Sequence, residues 1–91
     1  MTEADTAPPD DAAIEAALLA IVGDRGLLAS ACPSEAARSL SAEHWRGLMP
    51  RVREAAVRLT MRQQLDITQD GQVLQPGAPL KGPIRIRLPR S

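Results

Sequence analysis

The side chains able to do chemistry gather between His44 and Leu65, in H-W-R-G-L-M-P-R-V-R-E-A-A-V-R-L-T-M-R-Q-Q-L. This stretch holds the only His, the only Trp and five of the eleven cationic residues. At ~100° per residue, Arg51, Arg58 and Arg62 fall on one flank of a helix, and Arg46 and Arg53 on the other. Arginines so spaced on a recognition helix reach DNA phosphates or guanine edges, and Arg85 and Arg87 on a nearby strand would extend the patch. The plainer alternative is a solvated helix face, with Glu54 pairing to Arg58 one turn on. Val57 and Met61 point away from the helix's apolar stripe. An apolar pair there suits packing under the hairpin, or contact with a protein partner or a second copy of the chain, better than DNA.

Three other groups carry a functional and a plainer reading in the same way. Cys32 precedes Pro33 at a helix start, where a thiolate is stabilised, so it is a conceivable nucleophile or redox sensor. His44 is the only available base and has no clear acidic orienter beside it in sequence, so a small buried thiol is the plainer reading. Trp45 with Arg46 could form a stacking platform, but an indole is usually well buried, and Trp45 is expected as the largest core residue. His44 is read as a cap or surface group, and Glu35 and Arg38 as local ion-pair partners. No glycine-rich phosphate loop, catalytic carboxylate pair or metal-ligand spacing occurs. The chain is therefore expected to be a binding module rather than an enzyme, with no cofactor and no metal.

The elements that must position these groups are few. Ninety-one residues make one small domain with a modest core. With one Trp and no Phe or Tyr, that core must be built from aliphatic side chains. Net charge is zero, but residues 1–40 carry seven acids and two arginines, and residues 41–91 nine bases and four acids, giving −5 and +5. Such asymmetry fits either a polyanionic partner for the basic half or mutual neutralisation once folded. A single Cys excludes an intrachain disulfide. No run approaches the ~20 apolar residues of a membrane span, and the acidic N-terminus does not resemble a signal peptide, so a cytoplasmic location is expected.

Residues 1–10 read as a disordered acidic tail and 11–91 as one domain. Asp10 or Asp11 caps a first helix with Ile14, Leu18, Ile21 and Val22 at helical spacing, ending near 23–26. Leu27 to Ala31 is a minimal strand. Pro33 opens a short second helix that stops near 39–41. Ser41 caps the next helical segment, in which Trp45, Leu48, Met49, Val52, Ala55, Ala56 and Leu59 form one stripe. Pro50 predicts a short turn over 43–48 and then a main helix, with a kinked continuous helix as the alternative. Residues 65–69 and 72–75 are strands joined by the turn Asp70-Gly71, and 84–88 is a third strand with Ile84, Ile86 and Leu88 inward. The fold class is α+β and winged helix-turn-helix-like: three main helices, a β-hairpin and a short C-terminal strand.

The segments C-P-S-E-A-A-R-S-L (32–40), W-R-G-L-M-P-R-V-R-E-A-A (45–56) and G-P-I-R-I-R-L (82–88) resemble, in order and spacing, a small bacterial family, domain of unknown function 3253. The resemblance spans nearly everything from residue 11 on. It implies a compact winged-helix-type domain and assigns no activity. Relatives tend to have Gly just before the first wing strand, where this chain has Gln63. Gly there would be a helix C-cap, so the departure bears on where the helix ends. The expected function is a small binding module, regulatory through duplex DNA; the alternative is a protein-interaction or dimerisation module.

Overall fold

The computed structural model describes residues 9–89. The tail expected over 1–10 lies outside them except for Pro9 and Asp10. Helix α1 spans Asp11–Arg25. Asp10 caps it, its carboxylate accepting the Ala13 N–H at 2.8 Å. It stops at Gly26, whose φ of 82° suits a residue without a Cβ. Ile14, Leu18 and Val22 make its buried face. The minimal strand expected over 27–31 is a single residue, Ala31, bridged to Ile86 by two 2.8 Å backbone hydrogen bonds.

Helix α2 is Pro33–Leu40, with Pro33 at its first position. The Glu35 carboxylate reaches back to accept the Cys32 N–H at 3.3 Å. Helix α3 runs unbroken over Trp45–Met61 with Pro50 inside it. The continuous alternative therefore holds, and the break expected near Leu48 does not occur. Proline removes one hydrogen bond, to the Arg46 carbonyl. The apolar stripe runs past it from Leu48 to Leu59 without a change of face, so packing on both sides holds the helix together across it. Ser41 caps the turn ahead of α3 rather than the helix, its Oγ accepting the His44 N–H at 3.1 Å.

The end of α3 settles the Gln63 question. Gln64 N–H donates to the Leu59 carbonyl at 2.8 Å and Gln63 N–H to the Thr60 carbonyl at 2.9 Å. This is the paired-bond C-cap that ordinarily closes on glycine. Gln63 sits at φ 63°, in the left-handed region. The helix thus ends where a glycine would end it, with a glutamine bearing the strain.

Three antiparallel strands come next: β1 (Asp66–Gln69), β2 (Gln72–Val73) and β3 (Arg85–Arg87), in the order β2-β1-β3. Asp70 and Gly71, at φ 52° and 81°, form the expected two-residue turn. The return strand is shorter than the 72–75 expected. Leu74 still donates to Ile67 at 2.9 Å, and the chain then leaves the sheet. Pro76-Gly77 explains this: Gly77 has φ 87° and Ala78 N–H closes on Gln75 at 3.0 Å, a turn that steers the chain off β1. Residues 70–84 therefore form one long excursion between β1 and β3. Gln69 ties down its far end by donating to the Lys81 and Pro83 carbonyls.

Ile67, Ile84 and Ile86 face the helices and join Val52, Leu59 and Leu65 in the core. Ala36 and Ala37 on α2 meet the region of Ala55 and Ala56 on α3, and α2 packs more extensively on α3 than any other pair of elements does. Small residues let these two helices approach closely. Gln63 is exposed, so Gln63→Gly removes no buried contact. Relief of left-handed strain, less glycine's extra unfolded-state entropy, should raise stability by about 0.5–1 kcal/mol. A higher urea midpoint at unchanged m-value is the expected reading; a lower midpoint would contradict the strained cap.

Candidate functional site

The arginines of α3 do not act as one surface. On one flank, Arg51 donates to Asp11 at 3.0 Å. Arg58 Nε donates to Glu15 at 2.8 Å, and Arg62 to the other Glu15 oxygen at 2.7 Å. The Arg58 Nη2 lies 3.8 Å from Asp11, beyond hydrogen-bond length. Asp11 and Glu15 are one turn apart on α1. Arg51, Arg58 and Arg62 recur at seven and four residues on α3. The two helices therefore present matched rows of opposite charge along their contact. The hydrogen bond from Arg51, then the Arg58 charge, holds the Asp11 carboxyl below its ordinary value. Hydrogen bonds from Arg58 and Arg62 do the same for Glu15, and Glu15 in turn raises Arg58. Glu54, the expected partner of Arg58, stays exposed and unpaired among the described residues.

The remaining arginines of the expected patch are divided among three places. Arg53 donates to the Gly82 carbonyl at 3.2 Å, tying α3 to the 70–84 excursion. Arg46 stacks on the Trp45 ring, 4.6 Å from its centroid. Arg85 and Arg87 lie on the sheet's outer face and hold the loop after α1. Arg85 donates to the Ser30 hydroxyl at 2.8 Å and carbonyl at 3.2 Å, and Arg87 to the Leu27 carbonyl at 3.2 Å.

Trp45 is not the centre of the core. It is half-buried at the rim, with Arg38 on the ring at 4.4 Å as well as Arg46. The ring packs against the core from its edge and carries both guanidiniums over it. Each such contact is worth ~0.5–1 kcal/mol at an exposed site. Arg38 is thus taken from Glu35, whose partner is Arg25. Cys32 is half-buried, and its sulfur accepts the Ser34 hydroxyl at 3.0 Å. His44 is exposed and pairs loosely with Glu43 at 4.0 Å. No hydrogen bond joins Cys32 to His44 among the described residues, so no nucleophile–base pair forms there. Among the described residues no group of three His, Cys, Asp or Glu could hold a metal, and no helix is long and apolar enough to cross a membrane.

What α3 offers to solvent is a different stripe: Arg46, Pro50, Arg53, Glu54, Val57 and Met61, within a ~100° arc opposite the core face. Met61 is 64% exposed and Val57 half-buried. Asp11 and Glu15 are the residues that sequence reasoning missed as determinants of this surface. Their one-turn spacing, set against arginines at matching spacing in the basic half, was the available signal.

A family model described as a protein of unknown function, DUF3253, matches residues 11–89. No curated protein matches the chain.

Asp11 and Glu15 hold their protons less tightly folded than unfolded. Their stabilising contribution is therefore present above the ordinary values of 3.8 and 4.5 and is lost as pH falls through the lowered folded values. Wild type should lose stability steeply below about pH 4.5. The Asp11→Asn/Glu15→Gln variant should be weaker at neutral pH and show a shallower acid loss. Parallel acid profiles in urea melts would contradict the assignment.

Proposed function

Because the chain belongs to the DUF3253 family, whose description assigns no activity, we propose a function from its own surface: a non-catalytic, winged-helix-type interaction module that pairs with a second copy of itself through α3. The observation that carries this reading is the charge order of the outward stripe. If two α3 helices lie antiparallel about a twofold axis between Arg53 and Glu54, Arg53 faces Glu54 of the partner subunit, and the reciprocal pair forms by symmetry. Pro50 then meets the partner's Val57, and the stem of Arg46 covers the partner's Met61. A twofold interface must be self-complementary in this way, since the same patch serves both sides. Exposed Met61 and the uncovered part of Val57 supply the water-excluding contact, and the two ion pairs fix the register. Cys32 is free, which suits a reducing, cytoplasmic setting.

A nucleic-acid role is the second reading. What supports it is the pairing of α3 with the 70–84 excursion through Arg53, whose hydrogen bond to Gly82 stands next to the exposed Lys81. The helix-and-wing order of elements is also that of many DNA readers. Against it stand Glu54, Val57 and Met61 in the middle of the stripe, and the ion-paired state of Arg51, Arg58 and Arg62. An overall pI of about 6.6 lies far from the basic values such domains usually carry.

Sedimentation equilibrium over a wide concentration range tests the first reading. Wild type should self-associate. Arg53→Glu and Glu54→Arg singly should each weaken association about tenfold by setting like charges opposite one another. The double exchange should restore it. A strictly monomeric wild type would overturn the reading; association unchanged by every exchange would overturn the α3 register.

A further inference from the structure

One face of the sheet lies on the helices; the other is open. On that open face β3 alternates: Ile84 and Ile86 go inward, Arg85 and Arg87 outward. Thr68 stands opposite Arg85 across the β1–β3 ladder. Ser30 lies next to Ala31, whose bridge to Ile86 brings the loop after α1 to the same edge. Together with Asp70, Gly71 and Pro83 these residues line a cleft of about 360 Å³. That is within the range of small-ligand sites.

The hydrogen bonds of the two guanidiniums do not exhaust them. Arg85 uses Nε and one terminal nitrogen on Ser30. Arg87 uses one terminal nitrogen on Leu27, while its Nε is buried with no hydrogen-bond partner among the described residues. A buried, unpaired donor on a cation is costly, because it has given up water for nothing. Adjacent guanidiniums with spare N–H groups match the planar, two-oxygen geometry of a carboxylate or a phosphate. Asp70 is the acid among the lining residues. Asp66, in register with Arg87, is the other acid on this face.

We propose that this cleft binds a small oxyanion: a carboxylate or phosphate held between Arg85 and Arg87, with the Ser30 and Thr68 hydroxyls beside it. Asp70 then selects ligands that carry a hydrogen-bond donor a few atoms from the anion, such as an ammonium or a hydroxyl. The site lies on a different face from α3, so it stands or falls independently of self-association. It also gives the two arginines a role that clamping the 27–30 loop does not require, because the clamp leaves one terminal nitrogen of each guanidinium unused.

The test is a set of ¹⁵N-detected titrations of the intact chain at low salt with inorganic phosphate, acetate and glycine, following backbone amides and arginine Nε–H signals. Saturable shifts should centre on Thr68, Gly71, Arg85 and Arg87, with the Arg87 Nε–H moving downfield. Arg87→Lys keeps the charge and removes the Nε donor, and should weaken binding about tenfold. Asp70→Asn, at an exposed turn position, should tighten phosphate and weaken glycine. Linear, unsaturated shifts with all three probes would overturn the proposal. Binding unaffected by Arg87→Lys would overturn it too, and because that variant keeps the positive charge, a folded spectrum with unchanged affinity is decisive.

Discussion

The contact of α1 with α3 through charge is the constraint on which the rest depends. Asp11 and Glu15 stand one helical turn apart, and three arginines of α3 converge on them. Each pair alone is modest, since partly exposed ion pairs are screened and cost side-chain entropy. They fix the rotation of α3 about its axis relative to α1, with Val52, Ala55, Ala56 and Leu59 turned into the core. They also use up the flank that would otherwise be the most cationic strip of the molecule. Two acids of the first half thus answer three bases of the second.

The architecture was legible in the sequence because local chemistry and burial agree there. Asp10, Gly26, Pro33 and Asp70-Gly71 mark element boundaries through their own backbone preferences, and the structure keeps all of them. Where local and tertiary signals compete, the outcome could not be read locally. Pro50 argues for a break, yet the apolar stripe on both sides of it holds α3 as one helix. Gln63 argues against a cap, yet the chain must turn there to bring Leu65 and Ile67 under the helices, so glutamine adopts the conformation of glycine.

Side-chain partnerships were the least legible part, because they depend on which helices meet. Arg58 chose Glu15 over Glu54, Arg38 chose Trp45 over Glu35, and Trp45 itself packs at the rim of the core. What remains on the surface is two unlike faces. The α3 stripe is mixed in charge and partly apolar. The outer sheet face is a shallow cleft with two arginines whose donors are only partly used.

The most direct test of the α1–α3 charge contact is duplex-DNA affinity at low salt for wild type beside Asp11→Asn/Glu15→Gln. Wild type should be retained little and the variant clearly more, with a salt slope that reports the newly freed arginines. Tight, salt-sensitive binding by wild type, lost on replacing Arg58 and Arg62 and unchanged by the Asp11 and Glu15 substitutions, would contradict it. That result would mean the arginines of α3 serve an outside partner rather than α1.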